Sequence, residues 1–134
     1  MLMCTTGRIK ALASLLMGLL VLLQALQAHG SDLDPDSLFL MGEQYFYGDG
    51  VEQDKRAAAR LYRRAARAGS PEAMFSLGYM YDFGDGAIQD HELAAMWYGR
   101  AAELEHAPAR NNLGELYYHG NGVGQSFARA LELY

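Results

Sequence analysis

From residue 37 onward the apolar positions fall at helical spacings. Met41 and Tyr45, Leu77 and Tyr81, and Leu113 and Tyr117 pair at i, i+4. A second stripe of Ala58, Leu61, Tyr62 and Ala65 returns as Ala94, Trp97, Tyr98 and Ala101. Such spacing, with polar residues between, predicts amphipathic helices that each bury one face. The beginning of the chain reads differently. Ala11 to Leu23 is an uncharged, mainly apolar stretch of 13 residues, preceded by Arg8 and Lys10 and followed by small residues at Ala28 and Gly30. A basic start, a short apolar middle and a small-residue exit are the marks of a secretory signal peptide. Thirteen residues make a helix of about 20 Å, short of the roughly 30 Å hydrocarbon core. Residues 1–30 are therefore read as a cleaved leader, with cleavage after Ala28 or Gly30, and residues 31–134 as the exported domain. The alternative is an uncleaved anchor running from Ala11 to Ala28.

The helical stripes repeat. Gly42, Gly78 and Gly114 lie 36 residues apart, as do Tyr45, Tyr81 and Tyr117, and Ala58, Ala94 and Ala130. Aligned at that offset, residues 37–72 share 14 of 36 positions with 73–108, and residues 73–98 share 9 of 26 with 109–134. A fixed period between 20 and 50 residues is the signature of a solenoid. The repeats are drawn as 37–72, 73–108 and 109–134, each made of two helices, A and B.

Local signals set the helix ends. Ser70-Pro71-Glu72 offers a capping serine, a proline at the first helical position and an acid in the first turn. Asp34-Pro35-Asp36 does the same for the first repeat, and Pro108 is expected to start the third. Helix A should stop at Gly48-Asp49-Gly50, Gly84-Asp85-Gly86 and Gly120-Asn121-Gly122, where glycine opens left-handed conformations to the backbone. Helix B should begin after Asp54, Asp90 or Ser126 as its cap. Glycine inside helix A costs about 1 kcal/mol against alanine, so its return at 42, 78 and 114 implies that helix B crosses closely there.

The pattern L-G-x-x-Y-x-x-G-x-G-V-x-x-D-x-x-x-A-x-x-W-Y-x-x-A-A resembles the Sel-one-like repeat, a relative of the tetratricopeptide repeat. The second repeat carries it as Leu77, Gly78, Tyr81, Gly84, Gly86, Asp90, Ala94, Trp97, Tyr98, Ala101 and Ala102. The first has Met41 for the leucine and Leu61 for the tryptophan; the third has Ser126 for the aspartate. The resemblance implies an all-α, right-handed solenoid of helix pairs that binds other proteins. Some exported members carry a disulfide in each repeat. Here the single cysteine, Cys4, leaves with the leader, which sets this chain apart from that branch. The third repeat reaches Tyr134 inside helix B, whereas terminal repeats ordinarily present a polar outer face. The expectation is a longer array or, failing that, a partner over the open end.

Charge narrows the function. With Arg8 and Lys10 gone, 11 cations fall to 9 against 16 acids, a net of −7, which disfavours nucleic acid as the main partner. Asp32, Asp34, Asp36 and Glu43 have calcium-loop spacing, but Ser37 stands where the sharp turn needs glycine; they read as helix N-terminal acids. His91, His106 and His119 form no i, i+3 or i, i+4 pair and read as solvated surface residues. No G-x-S-x-G or S-x-x-K sequence is present, and relatives described as β-lactamases would need an activated serine. The reading is a protein without catalytic, metal or cofactor residues. Arg56, Arg60, Arg63 and Arg67 make a basic stripe on helix B of the first repeat. It is either a solvated outer face or a site for an acidic partner or anionic lipid, and the second repeat, with Glu92, Met96, Gly99 and Glu103 there, does not extend it.

The resemblance places helix A along the concave groove, where Phe39, Glu43 and Phe46 are followed at the repeat offset by Phe75, Tyr79 and Asp82, then Asn111, Glu115 and Tyr118. Aromatics interleaved with acids suit a peptide or partner helix. Phe39, Glu43, Phe46, Tyr79, Asp82, Asn111, Glu115 and Tyr118 are the expected partner-binding residues. Phe39 and Phe75 could equally belong to the core between repeats. The function expected is a non-enzymatic, exported scaffold, periplasmic or secreted. The alternatives are a β-lactamase-type hydrolase or a unit that self-associates end to end.

Overall fold

The computed structural model describes residues 33–134 together with Leu16, so the leader expected over residues 1–30 lies outside the described segment apart from that one position. Among the described residues there are six helices and no strands: α1 (Pro35–Tyr47), α2 (Lys55–Arg67), α3 (Pro71–Phe83), α4 (His91–Glu103), α5 (Ala107–His119) and α6 (Phe127–Leu133). None of them is long and apolar enough to cross a membrane. Each odd-numbered helix packs on the even-numbered one after it, and each such pair packs on the next. This is a helical solenoid.

The ends follow the local chemistry. Asp34, Asp54, Ser70, Asp90 and Ser126 each cap a helix by accepting from the backbone N–H three residues on. Gly48, Gly84 and Gly120 end α1, α3 and α5 in the left-handed region, with φ of 73°, 67° and 71°. One bracing contact went unread in the sequence. Gln53, Gln89 and Gln125, themselves 36 residues apart, donate from Nε2 to the carbonyls of Phe46, Asp82 and Tyr118 at 2.8, 2.8 and 2.9 Å. Each occupies an otherwise unpaired carbonyl at the C-terminal end of helix A.

The third repeat starts differently from expectation. Its cap is His106, whose Nδ1 accepts from Ala109 N at 3.2 Å, and Pro108 stands one position inside the helix start. Histidine replaces the serine of the second repeat because its ring nitrogen can also take an N–H. The ring also packs on Phe75, with centroids 5.0 Å apart. His106 is thus structural, not a solvated side chain. His91 departs from that reading too, since its Nδ1 lies 2.9 Å from the Asp82 carboxylate. His119 is exposed, 3.4 Å from Glu115.

The core consists of alanines at close approach with large side chains between them. Ala58, Ala65, Ala94, Ala101 and Ala130 are buried, with Tyr62, Leu77, Met80 and Tyr98 as the largest enclosed groups. Met41 is the exception to its stripe. Its counterparts Leu77 and Leu113 are covered by the preceding helix pair, but Met41 is 37% exposed because no helix among the described residues packs over that side of α1. The glycines inside helix A behave as their spacing implied: a Cβ on Gly42 or Gly78 would lie 2.5 Å from the ring of Tyr62 or Tyr98.

Candidate functional site

The second-helix tyrosines reach across to helix A and finish on polar partners. Tyr62 Oη donates to Glu43 Oε1 at 3.2 Å, and Tyr134 Oη donates to Glu115 Oε1 at 2.7 Å. Position 79, the counterpart of Glu43 and Glu115, is a tyrosine in the second repeat. There the acceptor shifts along the helix to Asp82 Oδ2, 3.4 Å from Tyr98 Oη, which also accepts from Asn112 Nδ2 at 3.1 Å. Asp82 simultaneously faces His91. Three acids expected to meet a partner, Glu43, Asp82 and Glu115, therefore each have an internal role. Nothing in a single helix reveals this, because the donor lies 16 to 19 residues away on the second helix of the same repeat.

Burial holds these phenols neutral. Desolvation, and then the nearby charge and hydrogen bond of Glu43, push the Tyr62 phenol far above its ordinary range. Desolvation and the Asp82 charge do the same for Tyr98, against the opposing pull of Asn112. A raised folded-state pKa means that the stabilisation is complete below the unfolded value of about 10 and is lost as pH rises above it. Unfolding free energy is expected to be level between pH 7 and 9 and to fall steeply above pH 10. Urea denaturation across that range checks it. Tyr62→Phe with Tyr98→Phe should flatten the slope, and an unchanged slope would place its origin elsewhere.

Above these contacts runs a cleft of about 550 Å³. Phe39, Phe46 and Tyr47 of α1, Phe75 and Tyr79 of α3, and His106 and Pro108 at the start of α5 supply its apolar and aromatic lining. Glu43, Glu72, Ser76 and Asp85 supply its polar lining. The aromatics divide into two kinds. Phe39 and Phe75 are partly buried and pack on Tyr62 and Tyr98, with ring centroids 5.6 and 5.8 Å apart. They belong to the core as well as to the cleft. Tyr79 is 40% exposed and stacks at 4.6 Å on Phe83. Lys55 bridges the first two repeats with its Nζ 2.6 Å from Asp85 and 4.9 Å from the centroid of the Phe46 ring.

Of the eight expected residues, the cleft brings together Phe39, Glu43, Phe46 and Tyr79. Asp82, Asn111, Glu115 and Tyr118 are not among its lining residues. Asn111, Glu115 and Tyr118 are exposed on α5, where Tyr118 rests edge-on against Phe127 at 5.2 Å. Glu72, Asp85, His106 and Pro108 were missed. They come from helix starts and turns, and only the stacking of one repeat on the next brings them to the cleft. The Asp34 carboxylate, read as one of the helix N-terminal acids, is engaged by Ser37 through both its N–H and its hydroxyl, at 2.9 and 2.6 Å. Those contacts hold its pKa below the usual carboxylate value.

The family model for the Sel1 repeat matches residues 35–70, 71–106 and 107–134. Among solved structures, the chain is similar to a Sel1 repeat protein from Oxalobacter formigenes. Identity is 36% and the TM-score 0.73, over 75% of this chain and 41% of that one. It is also similar to c5321, a protective antigen present in uropathogenic Escherichia coli strains that displays an SLR fold. Identity there is 33% and the TM-score 0.73, over 75% of this chain and 21% of that one. The chain thus spans less than half the length of either. No curated protein matches it.

Proposed function

The chain belongs to the Sel1 repeat family, and from that premise we propose that it is a non-enzymatic scaffold that holds a protein partner in the helix-A cleft. Sel1 repeats commonly mediate protein–protein interaction, and proteins built from them are generally non-catalytic scaffolds. The observation that carries the proposal is the cleft's combination of a rigid aromatic floor with a carboxylate margin. Phe39, Phe46 and Phe75 are locked by the core, so little side-chain entropy is lost on binding. The margin of Glu43 and Glu72 favours a partner segment with large apolar side chains flanked by Lys or Arg. An amphipathic helix laid in the cleft meets that description. The leader read over residues 1–30 supports a site of action in the periplasm or outside the cell.

Tyr79 makes the cleanest test, because it lines the cleft and is exposed, and its removal should leave the core intact. Tyr79→Ala is expected to weaken partner capture at least about tenfold, the scale of an aromatic anchor of about 1.4 kcal/mol. Co-purification from the native compartment, compared between wild type and variant at equal helical circular dichroism, reads the effect. Undiminished capture would sink the assignment.

A further inference from the structure

The cations of this chain are not spread over it. From residue 31 to 134 there are nine, and six stand on α2: Lys55, Arg56, Arg60, Arg63, Arg64 and Arg67, with no acid inside that helix. The other three are set against all 16 acids. Lys55 is neutralised by Asp85. Among the described residues none of the five arginines has a carboxylate within ion-pair distance, whereas Arg110 and Arg129 each have one. Five uncompensated guanidinium groups on one helix of an acidic protein repel one another, so this helix carries an electrostatic cost that folding does not relieve.

Three of the five converge on a groove. Arg56, Arg60 and Arg63 border a depression of about 490 Å³ between the first two repeats, on the side of α2 that does not carry Ala58, Tyr62 and Ala65. Its far side is the turn and helix start of the second repeat, where Ile88 is 91% exposed. Arg63 is held in place at the back, its Nη2 donating to Tyr81 Oη at 3.2 Å. Asp90 lies at the border as well, with its carboxylate occupied in capping α4. The feature is confined to this junction. The counterparts of Ile88 are Glu52 and Gly124, and those of the arginines in the second repeat are Glu92, Met96 and Gly99.

We propose that this groove is a second docking surface, for an acidic peptide segment in extended conformation. Charge complementarity selects the occupant: guanidinium groups pair with carboxylates through two parallel hydrogen bonds. Spacing selects its conformation. Residues four apart on a helix are about 6 Å apart along its axis, and alternate residues of an extended chain about 6.6 Å. Carboxylates at i and i+2 of an extended segment therefore meet Arg56 and Arg60 in register. The side chains between them point the other way or lie along Ile88 and Leu93. The depression is lined from α2 on one side and from the turn and start of α4 on the other, and a single extended segment can contact both sides at once. The proposal does not depend on the helix-A cleft being occupied.

Fluorescence anisotropy with a labelled Glu-Val-Glu-Leu-Glu peptide on the full chain tests it, with circular dichroism as the control for folding. The peptide is expected to bind. Arg56→Glu with Arg60→Glu should weaken it at least about tenfold, while Arg64→Glu, outside the groove, and Tyr79→Ala each change it less than about twofold. The double reversal should in turn bind Lys-Val-Lys-Leu-Lys. Equal losses from Arg64→Glu would reduce the effect to general charge attraction and overturn the site. So would sedimentation with phosphatidylserine vesicles in the absence of peptide binding, or self-association that the double reversal abolishes.

Discussion

Replacing Gly122 with alanine is expected to cost more than about 3 kcal/mol and to loosen the third repeat selectively. The new Cβ would stand 2.2 Å from the carbonyl carbon of His91, 2.4 Å from its oxygen and 2.5 Å from the nitrogen of Glu92. All three are backbone atoms in the first turn of α4, so no side chain can swing aside. The left-handed backbone of Gly122, φ 68°, adds its own strain for any other residue. Contacts in a solenoid run between neighbours, so the damage should concentrate at the seam between the second and third repeats. Hydrogen exchange is expected to accelerate in α5 and α6 while α1 and α2 keep their protection. Gly50→Ala is the comparison. It has the same left-handed backbone but nothing within 4 Å of the added carbon, so only the strain of about 1 kcal/mol should register. If both substitutions cost the same, the seam is not what the turn glycines serve.

The second large effect is Gly78→Ala, for which a net loss of about 2 kcal/mol or more is expected. Alanine gains about 1 kcal/mol over glycine in a helix interior. Here the added carbon would lie 2.5 Å from Cδ1 and 2.6 Å from Cε1 of Tyr98. That ring is fully buried and its hydroxyl is tethered to Asn112 and Asp82. It cannot retreat without giving up those bonds, so overpacking of about 3 kcal/mol outweighs the helical gain. Gly99→Ala in α4 should have the opposite sign. Nothing lies within 4 Å of its added carbon, so the substitution is expected to stabilise by about 0.5–1 kcal/mol. Urea denaturation of the two variants decides the matter. A stabilised Gly78→Ala would mean that the close crossing of helices is not what keeps glycine at that position.

Much of the fold was legible because it is written locally. A capping side chain, a left-handed glycine and an i, i+4 stripe each act within one turn of the residue that carries them, so Asp54, Gly84 and the Leu77–Tyr81 pair could be read directly. Identity at an offset of 36 then exposed the stacking. The cleft was only half legible. Phe39, Phe46 and Tyr79 follow from the phase of helix A once the family resemblance sets that helix along the groove, but Glu72, Asp85 and His106 reach the cleft from turns and helix starts of successive repeats. The glutamine brace at 53, 89 and 125 did repeat in the sequence. It passed unnoticed because glutamine has no local signature of its own.

The amino-acid sequence by itself determined the repeat, the helices and their ends, since those depend on backbone stereochemistry and hydrogen bonds between near neighbours in the chain. Only the tertiary structure decided what equivalent repeat positions do at different places. Gly50 faces open space while Gly122 abuts a backbone; Leu77 is covered while Met41 is exposed. Glu43 and Glu115 receive a tyrosine that in the second repeat goes to Asp82, and a stripe of arginines borders a groove because Ile88 stands opposite. Each of these outcomes is set by atoms from another helix, and no propensity or period in one segment contains them.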